Sequence, residues 1–236
     1  MQRDGLIGLI MATILVLAGC GSPLRDTAAH KIADALPSVL GPASHYEVQV
    51  DGDQFALTRG RLRAVHIVGT DVQLTPSLTV DMFDAVVQDV SFSRATRRLT
   101  HVGQTDLTVT IGQEDLTAYL ARAKPRPAGL LVTLRESDLS ARVPVTFLGM
   151  RTSATLIGTL SPSDAEPGKL DFIDHSARFS IVPLPAALVN LALEILNPVI
   201  EFTGLRVPLT ITQAAVVHHR LVLTGMADLN GLVPPK

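Results

Sequence analysis

The side chain with the clearest chemistry is the thiol of Cys20, the only cysteine among 236 residues. It follows Leu17, Ala18 and Gly19, and the two small residues leave room for a peptidase to approach the backbone. This Leu-Ala-Gly-Cys run resembles the bacterial lipobox, in which the cysteine takes a diacylglyceryl thioether and the chain is cut just before it. The pattern therefore predicts that Cys20 is lipidated, with acyl chains such as palmitate.

The segment before Cys20 has the character of a secretory signal. Residues 6–17 are apolar except for Thr13, and Arg3 precedes them. This run is shorter than the roughly 20 apolar residues that a bilayer span needs, but it suits the apolar region of a signal peptide. We expect a lipoprotein signal peptide over residues 1–19 and a mature chain over residues 20–236. The alternative is an ordinary N-terminal anchor helix with a chance cysteine.

Lipidation at Cys20 would place the mature chain on a membrane. One acyl chain binds a membrane only marginally, whereas several acyl chains on one residue hold the protein firmly. Gly21 rather than Asp follows the cysteine, which favours the periplasmic face of the outer membrane if the source is a diderm bacterium. We therefore expect a cell-envelope location, with the membrane as a partner.

A second group of residues has the chemistry to bind phosphate. Arg59, Arg61 and Arg63 are spaced by two, so an extended strand would place them on one face. A guanidinium group matches the geometry of phosphate oxygens and binds them in a bidentate way. As a hypothesis, we assign these three residues to an anionic lipid headgroup at the mouth of a groove.

Several function classes find little support in the sequence. It contains no nucleophile elbow, Walker loop, dinucleotide-binding glycine motif or His-Glu-x-x-His, so we expect no catalysis and no cofactor. His218 and His219 form the only close histidine pair, and on a strand they would point to opposite faces, so we expect no metal site. A formal net charge of -2 and 4% aromatic residues argue against a nucleic-acid partner.

Hydrophobic periodicity divides the mature chain into helices and long strands. Apolar residues at spacings of three and four predict an amphipathic helix over residues 24–40. Residues after Gly112 predict a second, short helix, because acidic side chains fit its first turn. Alternation predicts strands over most of residues 46–111, 130–182 and 205–226. Helices and strands do not alternate regularly, which argues against a Rossmann-type sheet or a TIM barrel and favours an α+β fold.

The functional interpretation depends on an apolar helix that the sequence predicts over residues 186–200. Its polar residues are Asn190, Glu194 and Asn197, so most of its surface must be buried. A length of about 22 Å is short of the roughly 30 Å hydrocarbon core of a bilayer, so we expect a curved sheet to enclose it. We predict a lipid groove between helix and sheet. Its walls would be Leu188, Leu191, Ile195 and Val199 on the helix, facing Val143, Val145, Phe147, Phe179 and Ile181 on strands.

The order of these elements, with the stretches 113–120 and 184–227, resembles the LmeA-like family of bacterial phospholipid-binding proteins. The resemblance covers roughly residues 24–228. It implies the tubular lipid-binding superfamily, which includes bactericidal/permeability-increasing protein. It also implies a long, strongly curved antiparallel sheet wrapped around apolar helices as a half barrel, with a groove for lipid tails. The lipobox departs from the plain signal or uncleaved anchor of such proteins, which argues against a freely diffusing carrier.

Together these features predict a single lipid-binding domain over residues 20–236. We expect a cell-envelope lipoprotein that binds or shuttles phospholipid or another acyl-chain lipid and is not an enzyme. Each buried methylene would contribute roughly 0.8 kcal/mol, so specificity would come from the headgroup end. One alternative is a scaffolding envelope lipoprotein with a fully packed core. Another is a hydrolase of envelope lipids or glycans. The absence of the catalytic motifs named above argues against this alternative.

Overall fold

A computed structural model describes most of the chain after residue 22. The described residues are 23–53, 56, 58–93, 98–123, 129–147, 150–163, 166, 168–179, 182–183, 185–202, 205 and 207–229. Within them lie three helices, which are α1 (Pro23–Val39), α2 (Gln113–Ala123) and α3 (Ala186–Leu196).

The same residues form thirteen strands, and every pair of neighbouring strands is antiparallel. In chain order they are β1 (His45–Asp51), β2 (Arg61–Gln73), β3 (Thr79–Ser93), β4 (Arg98–His101), β5 (Thr105–Ile111), β6 (Leu131–Leu134), β7 (Leu139–Phe147), β8 (Met150–Pro162), β9 (Lys169–Phe179), β10 (Val182–Pro183), β11 (Ile200–Glu201), β12 (Leu209–Val217) and β13 (Arg220–Ala227).

The strands form two sheets. Sheet A has the order β1-β2-β3-β5-β13-β12, with β4 beside β3. Sheet B has the order β10-β9-β8-β7-β6, with β11 beside β9, and it curls into a half barrel. Sheet B is therefore formed by the segment between β5 and β12, and the chain returns to sheet A afterwards. The predicted antiparallel strands and helices are confirmed at this level, as a mostly antiparallel fold with three helices.

One hydrophobic cluster joins the two sheets. On β5 the alternate residues Leu107, Val109 and Ile111 are buried and face the interior, as the period of two predicts. Sheet B contributes Val143 and Leu156, both fully buried, to the same cluster. The inward faces of both sheets therefore share a core, as expected when each sheet has one apolar face to bury.

Helix α1 covers part of the inward face of sheet A. Ala28, Ile32 and Leu36, spaced by four, are all buried, so the predicted amphipathic helix is confirmed to within a residue at each end. Ile32 and Leu36 join a second hydrophobic cluster with residues of β2, β3 and β4. This cluster surrounds one end of sheet A and holds the helix against it.

Polar contacts fix both ends of α1. At its start the guanidinium of Arg25 donates to the carbonyl oxygen of Gly52. Just beyond its end the hydroxyl of Tyr46 donates to the carbonyl oxygen of Gly41 at 2.8 Å, and burial raises the pKa of Tyr46 to about 12. The backbone N–H of Gln73 also donates to the carbonyl oxygen of Pro42 at 2.8 Å.

Helix α3 packs on sheet B and is shorter than the sequence predicts. It ends at Leu196 rather than at residue 200, because Asn197 precedes a proline and takes an extended conformation (φ -84°, ψ 144°). The Asn197 side chain then bonds the backbone of Phe172, accepting from its N–H at 2.7 Å and donating to its carbonyl oxygen at 3.2 Å. Among the described residues, no helix has the length and apolar character to cross a bilayer.

The strand conformation assumed for the histidine pair is wrong. His218 and His219 are the two turn residues between β12 and β13, with φ of 49° and 61°. Two-residue hairpins favour turns with positive φ at both positions, because the twist then matches that of the strands.

The junction after α1 provides a test of how firmly the helix is positioned. Gly41 has a φ of +129°, and a Cβ there would lie 2.1 Å from the carbonyl oxygen of Gln73. We expect Gly41→Ala to lower the free energy of unfolding by at least about 2 kcal/mol, measured by denaturant titration.

The matched control is Gly129→Ala. Gly129 also has a positive φ, of +94°, but a Cβ there would meet nothing within 4 Å. It should therefore lose only about 1 kcal/mol. Equal losses in the two variants would show that the close approach to Gln73 does not position α1.

Candidate functional site

An apolar cavity lies between α1 and the inward face of sheet A. Its volume is about 130 Å³, and all of its twenty lining residues are apolar except Lys31 and Thr105. Helix α1 forms one wall, and β2, β3, β5 and the segment between β3 and β5 form the opposite wall. The end of β13 and the start of β12 close one side.

The cavity exists because small residues occupy its walls. Ala35 on α1 faces the cavity, as do Ala85 on β3 and Ala227 on β13. A single helix also presents a narrow apolar stripe, whereas six strands of sheet A contribute lining residues. The side chains of α1 therefore do not fill the width of the sheet beneath them.

The cavity is partly open to solvent at one side. Its half-buried lining residues are confined to two places, and the remaining lining residues are buried. One place is the outer side of α1, and the other is the end of β13 with the residues after it. The half-buried residues are Lys31, Ala35, Val39, Leu40, Ala227 and Leu229. The opening therefore lies between α1 and the end of β13.

Thr105 is the one buried polar residue in the described part of the chain. Its side chain lines the cavity and is 4% exposed. Its Oγ1 atom has no hydrogen-bond partner among the described residues. An unsatisfied buried hydroxyl costs about 1–3 kcal/mol, so Thr105 needs a hydrogen-bond partner that the walls of the cavity do not supply.

The residues predicted to form a groove on α3 lie elsewhere. Leu188 is buried against sheet B, whereas Leu191, at 37% exposure, points away from it. The buried face of α3 consists of Leu188, Ala192 and Leu196, whose spacing of four turns Leu191 outward. Ile195 is half-buried, and Val199, beyond the end of the helix, is fully buried.

The facing residues on sheet B are packed into the common core. Val143 and Val145 are buried there, together with Ala192 and Leu196 of α3. Ile181 and the side chains of Phe147 and Phe179 lie outside the described part of the structure. None of the predicted groove residues with a described side chain lines the cavity under α1. The groove assignment on α3 stays a prediction.

The arginines assigned to a headgroup are exposed and lie away from the cavity. Arg61 and Arg63 flank the buried Leu62 on β2, so they project from the outer face of sheet A. Arg59 is exposed in the turn before this strand. Arg63 forms an ion pair with Asp51, and this hydrogen bond lowers the pKa of the Asp51 carboxyl below its usual range. Cys20, the predicted lipidation site, lies outside the described residues.

A strongly perturbed carboxyl lies at the start of α2, outside the cavity lining. Desolvation raises the pKa of Asp115 to about 6, with help from a hydrogen bond to Asp81 and the negative charges of Asp81, Asp71 and Glu114. Arg220 donates to Asp81 at 2.7 Å and compensates part of this charge. In the described residues, no group of three or more acidic, histidine or cysteine side chains has the arrangement of a metal site.

The sequence holds two signals for the cavity, but each of them alone predicts only secondary structure. The stripe of α1, through Ile32 and Leu36, marks a helix with one face against a sheet. Thr105 shares the period of Leu107, Val109 and Ile111 on β5, so its inward direction follows from alternation alone. What alternation does not indicate is that the space in front of Thr105 is empty.

A partly open apolar cavity between a helix and a sheet is characteristic of a protein that binds an apolar ligand. A family model described as LmeA-like phospholipid-binding matches residues 21–226. The chain therefore belongs to the LmeA-like phospholipid-binding family, as the resemblance in its sequence indicates. Neither the curated proteins nor the solved structures contain a match to the chain.

The raised pKa of Asp115 gives the folded protein a defined pH response. The folded state holds this proton more tightly than the unfolded state, so the contribution to stability is present below the ordinary pKa of 3.8 and is lost as the pH rises through about 6. Asp115→Asn removes the titrating group. We expect the melting temperature of the variant, relative to wild type, to increase between about pH 4 and about pH 7.

Asp26→Asn is the control for this measurement. Asp26 is also acidic and also lies in the first turn of a helix, α1, so it tests for a general effect of helix-terminal carboxylates. A difference between Asp115→Asn and wild type that is independent of pH would contradict the perturbed carboxyl.

Proposed function

We propose that the cavity between α1 and sheet A holds the acyl portion of a phospholipid, and that the protein binds or shuttles this lipid without catalysing a reaction. The observation that carries this proposal is the nearly uniform apolar lining, in a member of a family described by phospholipid binding. A fully packed scaffold would not need an opening between α1 and β13, so the cavity also favours lipid binding over the scaffolding alternative.

The size of the cavity indicates how a lipid would enter. An apolar cavity of roughly 150 Å³ holds one benzene molecule, so about 130 Å³ accommodates only a short part of an acyl chain. The remainder of the chain needs α1 to move outward from sheet A. Each methylene then buried contributes roughly 0.8 kcal/mol, so ten methylenes would contribute about 8 kcal/mol, against the cost of displacing the helix.

At the level of the fold, we propose that the chain belongs to the tubular lipid-binding superfamily. Two observations support this. Sheet A carries the amphipathic helix α1 on its inward face, and sheet B is curled and packs against α3. In such an arrangement the lipid would lie between a helix and the sheet that wraps it.

We further propose that the protein is a cell-envelope lipoprotein anchored through Cys20. The family match begins at residue 21, immediately after the lipobox. Cys20 precedes the first residue of α1, Pro23, by three positions. Three extended residues span about 10 Å, so an acylated Cys20 would hold the start of α1 close to the membrane surface, where a phospholipid is available.

Filling the cavity tests its role directly. Ala85 lies on the cavity floor, so the added atoms of Ala85→Leu have space and should change the melting temperature little. The same atoms take the place of lipid methylenes. We expect the affinity for a fluorescent phospholipid to fall by about tenfold or more, measured by titration of the lipid-free protein.

Two further variants are compared with Ala85→Leu. Ala154→Leu makes the same change in the packed core of sheet B, outside the cavity, and overpacking there should cost about 1–3 kcal/mol of stability while affinity per folded molecule stays unchanged. Leu191→Trp probes the groove predicted on α3. A loss of affinity in Leu191→Trp but not in Ala85→Leu would move the lipid site to α3. The absence of phospholipid binding by wild type would favour the scaffold.

The anchor is tested separately with Cys20→Ser. A serine hydroxyl does not take the thioether, so the variant should lose incorporation of labelled palmitate and leave the membrane fraction, or accumulate as uncleaved precursor. The control is Ser22→Ala, which leaves the thiol in place and should be labelled and fractionate as wild type. Labelling of Cys20→Ser at the wild-type level would exclude this residue as the lipidation site.

A further inference from the structure

The cavity contains one polar atom that its own walls leave without a partner. Thr105 is the first residue of β5, opposite Val87 of β3, and its Oγ1 atom is buried with no hydrogen-bond partner in the described structure. A valine has nearly the same shape and would avoid the cost of burying a hydroxyl. The threonine is therefore unfavourable for the empty cavity, and a ligand acceptor would remove the disadvantage.

The surroundings of Thr105 restrict the chemistry of that acceptor. Every other buried lining residue is apolar, and an anion such as phosphate would lose its hydration there without a compensating cation. A neutral acceptor oxygen, such as an ester carbonyl, costs less to bury than an anion and needs only the single hydroxyl donor. Phosphate would instead remain at the opening, where the half-buried Lys31 contributes the one cation of the lining.

The position of Thr105 agrees with a phosphate at the opening and an ester carbonyl further inside the cavity. The ladder between β13 and β5 ends with Met226 opposite Asp106, so the next residues, Ala227 and Thr105, are neighbours across the strands. Ala227 is half-buried at the opening and Thr105 is buried. Thr105 therefore lies one strand inside the entrance, between the solvent and the apolar interior. In a phospholipid, the ester carbonyls occupy the same place between the headgroup and the tails.

We propose that the Thr105 hydroxyl donates a hydrogen bond to an ester carbonyl of the bound phospholipid, and that the site thereby selects ester-linked over ether-linked lipids. This inference rests on the proposed function, since it needs the acyl chain in the cavity under α1. Hydrophobic burial supplies the affinity for any long chain, and Thr105 fixes how deep the chain inserts and which linkage it carries.

The experiment compares two probes with the same headgroup and chain length, diacyl phosphatidylglycerol and its dialkyl ether analogue. Wild type should bind the ester form more tightly by about 3- to 10-fold, as expected for one hydrogen bond. Thr105→Val should lose this preference and bind both probes as weakly as wild type binds the ether. Thr105→Ser, which keeps the hydroxyl, should retain the preference.

A second readout is independent of lipid. Removing the unsatisfied hydroxyl should raise the melting temperature of lipid-free Thr105→Val by roughly 2–4 °C, while Thr105→Ser should not show this gain. Thr108→Val is the matched control, because Thr108 lies on the same strand but on its outer face; it should leave the ester preference unchanged.

The outcomes separate the two proposals. Equal binding of ester and ether probes by wild type overturns the role of Thr105 and leaves the lipid cavity standing, and this comparison needs no variant. An ester preference that survives in Thr105→Val also overturns it. Failure of wild type to bind either probe overturns the proposed function, and the inference about Thr105 with it.

Discussion

The structure depends on how the inward face of sheet A is covered. Six of its strands present apolar side chains to the interior, and leaving such a face in water would cost roughly 25 cal/mol for each square ångström. Helix α1 covers it with one stripe centred on Ile32 and Leu36, and is held at its ends by Arg25 and by the contacts around Gly41. One helix is too narrow to fill the face, so covering it also creates the cavity.

The inward face of sheet B is covered in a different way. This face is buried by α3 and by the opposite sheet, and the side chains of Leu156, Leu170 and Leu196 are fully buried. Two hydrogen bonds to backbone groups lie at the boundary of this face. The N–H of Glu201 donates to the Tyr119 hydroxyl at 2.9 Å, and Asn197 bonds the backbone of Phe172. The contrast agrees with the proposal that α1 moves outward to admit a lipid while sheet B stays packed.

Local patterns were sufficient for most of the elements, but not for the site. The apolar stripe of α1 and the alternation on β5 depend only on neighbouring residues, so their elements could be predicted. The apolar pattern of α3 continues to Ile200, but the restriction that Pro198 places on Asn197 outweighs it, so the helix ends at Leu196. The cavity cannot be predicted from local patterns for a different reason. High apolar content predicts that α3 is buried. Whether the side chains under α1 pack together or leave a cavity depends on how α1 pairs with strands that are distant in the sequence. No local sequence pattern predicts that pairing.

The proposed membrane anchor at Cys20 and the cavity are connected through α1. Helix α1 has 17 residues and is therefore about 26 Å long. Its half-buried lining residues, from Lys31 to Val39, occupy its second half, and Leu40 follows directly after its end. With Cys20 acylated, as proposed, the opening would lie within about 36 Å of the membrane surface, the sum of the helix and a three-residue linker. Outward movement of α1 would have its fixed point at the membrane end. Because the cover and the anchor are consecutive in the chain, lipid entry and attachment to the membrane would be coupled through the same helix.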